Sequence, residues 1–319
     1  TPQGAKNETL QILCAVLLTP EEVVISNIPD IIDVNKLIAL LGDLGVKVKK
    51  VKSDTYSFKA DEVNLDFLKS DEFRIKGADL RGSIMIVGPL LARFGFGAIP
   101  KPGGDKIGRR RLDTHFIGLE KLGAQVTYNY EGSYYNIQAD QLVGNYMLLD
   151  EASVTGTANV LMASVMAKGE TTIFNAACEP YLLQLARMLK RMGANIEGIG
   201  SNMLKINGVE YLGGTVHTML PDMIEVGSFI GLAAITQSDI TIKDVKYKEL
   251  GVIPSVFQKL GIQMELIGDD LHIPAQESYE VQRFMDGAIM TISDSPWPGF
   301  TPALISIALV TDIQAKGSV

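Results

Sequence analysis

A tripeptide of the form Leu/Met-Gly-Val/Ala/Ile closes an amphipathic run four times along the chain, at Leu44-Gly45-Val46, Leu122-Gly123-Ala124, Met192-Gly193-Ala194 and Leu260-Gly261-Ile262. The glycines recur about every 70 residues, too long for most solenoids and suited to duplicated supersecondary units. The internal order repeats as well. An apolar helix is predicted at 7–18, 83–93, 155–167 and 226–235, and a short β-rich run follows at 22–25, 98–99, 171–174 and 240–242. An amphipathic helix then spans 34–44, 114–122, 182–192 and 252–260, and its closing glycine suits a helix C-cap. Two strands complete the unit, as in 47–51 with 55–59 and 125–130 with 134–137. With a strand placed before the first helix, the unit reads βαβαββ.

This pattern predicts an α/β chain in two domains, which the length of 319 residues allows. Residues 5–219 hold three units. Residues 220–319 hold a fourth unit and the start of a fifth, whose helix is predicted at 302–310, with 1–4 leading in from this second domain. A half-finished unit cannot bury its own apolar face, so the pattern implies either further sequence or a missing part supplied elsewhere.

The stretch from Leu80 to His115 carries the chemistry. It joins an apolar run, a Pro/Gly turn at Pro100–Gly104 and the cations Lys101, Lys106, Arg109, Arg110 and Arg111, with Asp105 among them. A Gly-Gly pair lets backbone N–H groups approach a ligand closely, and clustered arginines match phosphate or carboxylate geometry. The whole chain carries a net charge of −8. A cationic knot on an acidic chain therefore points to a small anion rather than to nucleic acid, and the stretch lacks the interleaved aromatics of a single-strand binder. No apolar run approaches the roughly 18 residues needed to span a bilayer, so no membrane partner is expected. Cys14 and Cys178 form no CxxC pair and read as buried thiols of a reducing, cytoplasmic compartment. His115, His217 and His272 lie far apart in sequence, and no Cys/His spacing fits a metal site. Neither a P-loop nor a dinucleotide fingerprint occurs, so no cofactor is expected.

Taken in order, GAKN (Gly4–Asn7), LRGS (Leu80–Ser83), GPLLARFG (Gly88–Gly95), PGGDKIGRRRLDTH (Pro102–His115), SVTGTAN (Ser153–Asn159), ACEPY (Ala177–Tyr181) and LPDMIEVGSF (Leu220–Phe229) resemble the enolpyruvyl transferases over essentially the whole chain. GAKN and LDTH resemble the branch that uses UDP-N-acetylglucosamine, at the first committed step of peptidoglycan synthesis, rather than the shikimate-pathway branch. The resemblance implies an inverse α/β barrel of two domains, each of three βαβαββ units. It also implies residues before Thr1 and the rest of one domain after Val319. The implied reaction moves the enolpyruvyl group of phosphoenolpyruvate to the sugar 3′-hydroxyl by addition and elimination. That chemistry needs anion clamps, an acid for C3 and a base for the hydroxyl.

By the same resemblance, Lys6 with Asn7 binds phosphoenolpyruvate, and Lys6 also opens a helix whose free N–H groups attract an anion. Arg110 contacts both substrates, Arg81 lies near the UDP-sugar, and Arg111 is counted among the substrate-binding residues. Leu112, Asp113, Thr114 and His115 match the uridine-pocket segment, and Ser153 and Val154 match the diphosphate-binding turn, where Ser is also a routine N-cap. Two departures stand out. Asp105 occupies the general-acid position where the family most often has Cys, and members with Asp there resist fosfomycin. Lys106 and the arginines favour ionised Asp105, and bound phosphoenolpyruvate would oppose them. Ala303 ends the segment PWPGFTPA (Pro296–Ala303) where the family has the Asp proposed to deprotonate the sugar hydroxyl. This chain is therefore expected to bind better than it turns over. A 3-phosphoshikimate-type transferase and a non-catalytic UDP-sugar binder are the alternatives. The sequence leaves oligomeric state open.

Overall fold

The computed structural model describes residues 1–101, 103 and 111–319. These divide into two compact units, Lys6–Met219 and Leu220–Val319 together with Thr1–Ala5.

In the larger unit the first repeat runs α1 (Lys6–Ala15), β1 (Glu22–Ser26), α2 (Ile32–Asp43), β2 (Lys47–Lys50) and β3 (Tyr56–Lys59). The second runs α3 (Asp71–Ala78), α4 (Val87–Phe94), β4 (Phe96–Pro100), α5 (Asp113–Lys121), β5 (Gln125–Asn129) and β6 (Tyr134–Gln138). The third runs β7 (Tyr146–Leu148), α6 (Val154–Ser164), β8 (Glu170–Phe174), α7 (Pro180–Arg191), β9 (Asn195–Glu197) and β10 (Met203–Asn207), and β11 (Thr215–Thr218) follows.

Each repeat contributes one small sheet in which the last two strands form an antiparallel hairpin beside the first, giving the orders β1-β3-β2, β4-β6-β5 and β8-β10-β9. Two of these sheets carry a further strand parallel to their first, and only in the third repeat is it the strand expected before the inner helix. In the third, β7 pairs in parallel with β8. In the first, β11 pairs in parallel with β1 through Val23–Thr215 to Ser26–Thr218. The end of the third repeat thus closes the sheet of the first. In the middle repeat, α3 occupies the corresponding stretch of sequence.

Two kinds of helix alternate. From Glu8 to its end α1 is buried all round, and α6 is buried from Gly156 to Ser164. A helix that is apolar on every side belongs in the middle of a unit. By contrast α2 buries only Val34, Leu37, Leu40 and Leu41, the stripe of an outer amphipathic helix. Behind each outer helix the repeat glycine adopts a positive φ, +92° at Gly45, +95° at Gly123, +111° at Gly193 and +92° at Gly261. At Gly45 a Cβ would also meet the Glu62 carbonyl oxygen at 2.3 Å. That geometry explains why the tripeptide recurs.

The helix expected at 83–93 is instead a 3-10 turn, Arg81–Ile86, followed by α4. Pro89 sits in the first turn of α4, where it is tolerated. Its missing N–H prevents the regular helix from extending upstream. At the other end of α4, Arg93 donates from Nη1 to the carbonyls of Ala60 at 2.6 Å and Leu17 at 3.3 Å.

The smaller unit contains α8 (Met223–Thr236), β12 (Ile240–Ile242), α9 (Ile253–Lys259), β13 (Glu265–Ile267), β14 (Asp270–Ile273), β15 (Tyr279–Glu280), α10 (Ile305–Asp312) and β16 (Ala315–Lys316). Its antiparallel sheet has the order β12-β14-β13, and β15 pairs in parallel with β16. The N-terminal residues belong here. Gly4 bridges Pro221, Ala5 N–H donates to Leu220 at 2.8 Å, and Gln3 N–H donates to the Glu225 carboxylate at 2.7 Å. Among the described residues no helix is long and apolar enough to cross a membrane.

Candidate functional site

A cavity of about 600 Å³ opens within the Lys6–Met219 unit. Its walls come from segments distant in sequence: Lys6 and Asn7 at the start of α1, Arg81 and Gly82 in the 3-10 turn, Arg111 to His115 leading into α5 (without Leu112), Ser153 to Thr155 at the start of α6, and Tyr181 in α7. Five sequence motifs therefore meet at one place.

Helix starts supply much of the polarity. Ser153 caps α6, its Oγ accepting from Gly156 N–H at 3.2 Å while its carbonyl accepts from Thr157 N–H at 2.8 Å. The first N–H groups of an α-helix have no partner within it, and together with the helix dipole they favour an anion. Lys6 adds a cation and is paired with Asp33 at 2.5 Å, both side chains being partly exposed. An ion pair this open to water is worth about 1 kcal/mol at most. A doubly charged ligand could displace it at little cost.

The start of α1 is held by a buried relay. Glu8 follows Asn7, is fully buried, and accepts from His217 Nε2 at 2.8 Å. On its far side His217 Nδ1 lies 2.6 Å from Arg191 Nη2. Guanidinium nitrogens only donate, so Nδ1 accepts and the proton sits on Nε2. Burial and the neighbouring Arg191 charge hold the His217 pKa down to about 4.

His115 is fixed by the same kind of logic. Asn159 Oδ1 accepts from Gly88 N–H at 2.6 Å, which leaves Asn159 Nδ2 to donate to the Ile84 carbonyl at 3.2 Å and to His115 Nδ1 at 3.1 Å. The remaining ring nitrogen, Nε2, carries the proton and donates to Thr155 Oγ1 at 3.2 Å. Burial, reinforced by the Arg81 charge, lowers the His115 pKa to about 4. His115 is thus a neutral group in the wall.

The other residues expected at the site fall as follows. Asn7, Arg111 and Asp113 are exposed on the cavity wall, and Arg81 is half-buried there, its Nη2 3.5 Å from the Arg111 carbonyl. Thr114 is buried, and its hydroxyl has the carboxylates of Asp150 at 3.0 Å and Glu151 at 3.1 Å as acceptors. With one proton it serves one of them at a time. Ser153 and Val154 are half-buried in the wall. Leu112 does not line the cavity; its side chain packs against the core. Ala303 belongs to the smaller unit, exposed in the 3-10 turn Pro302–Leu304. Asp105 and Arg110 lie outside the described residues.

The model of the EPSP synthase family (3-phosphoshikimate 1-carboxyvinyltransferase) matches residues 1–318. The UDP-N-acetylglucosamine 1-carboxyvinyltransferase of Bacteroides thetaiotaomicron is 65% identical over 318 residues, covering 100% of this chain and 73% of that protein. The protein of the same name from Porphyromonas gingivalis is 62% identical over 317 residues, covering 99% of this chain and 73% of that one. The chain belongs to the EPSP synthase family, in its UDP-N-acetylglucosamine 1-carboxyvinyltransferase branch.

Solved structures agree on the fold. The enolpyruvyl transferase NikO from Streptomyces tendae superposes with a TM-score of 0.80 at 17% identity, covering 99% of this chain and 72% of that one. EPSP synthase from Acinetobacter baumannii gives 0.68 at 18% identity, over 89% and 65%. This enolpyruvyl transferase chain also places in its cavity wall residues that sequence reasoning had not singled out: Gln11, Asp33, Asp79, Asp150, Glu151, Thr155 and Tyr181. Thr155 and Tyr181 fall inside quoted motifs and were within reach. Asp33 and Asp79 belong to none, and only the tertiary fold reveals them.

Proposed function

We propose that the chain transfers the enolpyruvyl group of phosphoenolpyruvate to the 3′-hydroxyl of UDP-N-acetylglucosamine in the cytoplasm, committing the sugar to peptidoglycan synthesis. The observation that carries this reading is the convergence of the GAKN, LRGS, LDTH and SVTG segments on one polar cavity. Its volume of about 600 Å³ suits a ligand of nucleotide-sugar size.

In the proposed mechanism the diphosphate lies against the start of α6 at Ser153 and Val154, and the uridine lies against the segment Asp113–His115. Lys6, with Asn7 beside it and with Arg110, attracts phosphoenolpyruvate and neutralises its phosphate and carboxylate, while Arg81 lies toward the UDP-sugar and Arg111 on the same cavity wall. The sugar hydroxyl oxygen bonds to C2 of phosphoenolpyruvate as its proton leaves to a base, and C3 gains a proton from Asp105. The tetrahedral ketal then breaks its C2–phosphate bond while C3 gives up a proton. The products are the enolpyruvyl ether and inorganic phosphate. A carboxylic acid at position 105 offers no thiol to an epoxide, so fosfomycin should not inactivate the chain.

Ala303 favours a second reading, nucleotide-sugar binding with little turnover, because alanine cannot accept the hydroxyl proton. Phosphate release from phosphoenolpyruvate, measured with UDP-N-acetylglucosamine and separately with shikimate 3-phosphate, tests both. Release with the UDP-sugar alone is expected, at a low rate. Release with shikimate 3-phosphate alone would refute the acceptor assignment.

A further inference from the structure

We infer that Thr155 is a specificity-determining donor to the diphosphate of the nucleotide sugar, and that Asn159 is the positioning residue that makes it one, acting through His115. The inference rests on the nucleotide-sugar reading of the cavity and assigns these residues roles within it.

A threonine hydroxyl can donate or accept, so by itself it does not distinguish a donor from an acceptor on a ligand. Here the choice is made at the other end of a chain of hydrogen bonds. The Gly88 N–H can only donate, and Asn159 Oδ1 accepts from it at 2.6 Å. That contact fixes the orientation of the Asn159 amide, and Nδ2 must face Ile84 O and His115 Nδ1. Nδ1 is then an acceptor, Nε2 holds the proton, and Thr155 Oγ1 receives it at 3.2 Å. One lone pair is so engaged and the ring takes no proton from the hydroxyl, which keeps its own proton free to donate outward. Asn159 is fully buried and His115 nearly so, whereas Thr155 is exposed and lines the cavity.

Thr155 is also the second residue of α6, whose first N–H groups form the anion-favouring end of the helix. A hydroxyl held as a donor beside those groups matches an acceptor-only partner, and a diphosphate offers nothing else. With the other tautomer the hydroxyl would spend its proton on Nε2 and turn only lone pairs to the diphosphate, so the relay decides whether Thr155 can donate.

The test is calorimetric titration of the unaltered chain, Thr155→Val and Thr155→Ser with UDP-N-acetylglucosamine, UDP and uridine, alongside ¹⁵N NMR of the His115 ring. Thr155→Val is expected to weaken the UDP-sugar and UDP by about tenfold or more, the loss of a hydrogen bond to a charged group, and to leave uridine unchanged. Thr155→Ser should restore binding. The His115 spectrum should show a proton on Nε2 only, and Asn159→Asp should move it to Nδ1. Because Thr155 is exposed, neither of its variants threatens the core, and the wild-type spectrum stands even if Asn159→Asp does not fold. Wild-type affinity in Thr155→Val, or a proton on Nδ1 in the unaltered chain, would overturn the inference and leave the nucleotide-sugar reading intact. Failure of the unaltered chain to bind the UDP-sugar or UDP would overturn both.

Discussion

His115 and His217 are both buried and neutral, which ties the stability of the larger unit to pH. Each has its proton affinity held near a pKa of about 4 instead of 6.5, by burial first and by a neighbouring arginine second. In each ring one nitrogen already accepts from a fixed donor, Asn159 Nδ2 or Arg191 Nη2, so adding a proton sets N–H against N–H. The sign follows from linkage. Between those pKa values the unfolded chain binds more protons than the folded one, so stability rises with pH across the window and is lost as pH falls. At about 1.4 kcal/mol per pH unit, the full effect is about 3 kcal/mol for each histidine. At about pH 4.5 most of it, roughly 2 to 3 kcal/mol per histidine, is already lost, or about 5 kcal/mol for the pair.

Urea unfolding followed by far-ultraviolet circular dichroism between about pH 7.5 and 4.5 measures this loss. Trp297, the single tryptophan, lies in the smaller unit and supplies a separate fluorescence signal. The same titration on His115→Gln and His217→Gln should show a shallower slope, with each variant recovering about half of the pH dependence. An unchanged slope in both variants would refute the assignment of the effect to these rings.

Three further outcomes follow from particular contacts. A Cβ on Gly88 would meet the Asn159 carbonyl oxygen at 2.2 Å and Oδ1 at 2.6 Å, so Gly88→Ala should destabilise by about 3 kcal/mol through overpacking where α4 meets α6; an unchanged melting temperature would contradict that packing. Arg93→Ala leaves the carbonyls of Leu17 and Ala60 without their donor and should cost about 2 kcal/mol in urea unfolding with UDP-sugar affinity unaltered; a loss of affinity would mean that Arg93 serves the site as well as the fold. Ala303→Asp should raise phosphate release by about a hundredfold or more, the ordinary contribution of a general base, and no change would sink the missing-base argument.

The repeat was legible because its signals are local. Apolar runs too long for an amphipathic stripe mark the inner helices α1 and α6, a four-residue stripe marks α2, and a glycine with positive φ marks each outer helix end. What escaped depends on weaker or distant signals. The helix α3 buries only Phe73 and Gly77, so its sequence shows almost no periodicity. Its start was nonetheless marked, by Ser70 accepting from Phe73 N–H and by acids in the first turn. The pairing of β11 with β1 joins residues nearly two hundred apart, and no local pattern encodes it.

At the site, the motifs identified Lys6, Arg81, Thr114, His115 and Ser153 as members of one group, and these line one cavity. They could not show that His115 is buried and locked by Asn159, since that depends on the approach of Gly88 to α6. The acids Asp33 and Asp79 were invisible for the same reason. Their relevance comes from the wall that they share with Lys6 and Arg81, not from a motif.

The most direct test of the account is a calorimetric titration of this chain with UDP-N-acetylglucosamine, run against shikimate 3-phosphate. The convergence of five motifs on the cavity predicts saturable binding of the UDP-sugar and none of shikimate 3-phosphate. Binding of shikimate 3-phosphate in its place, or of neither ligand by a chain that unfolds cooperatively, would contradict it.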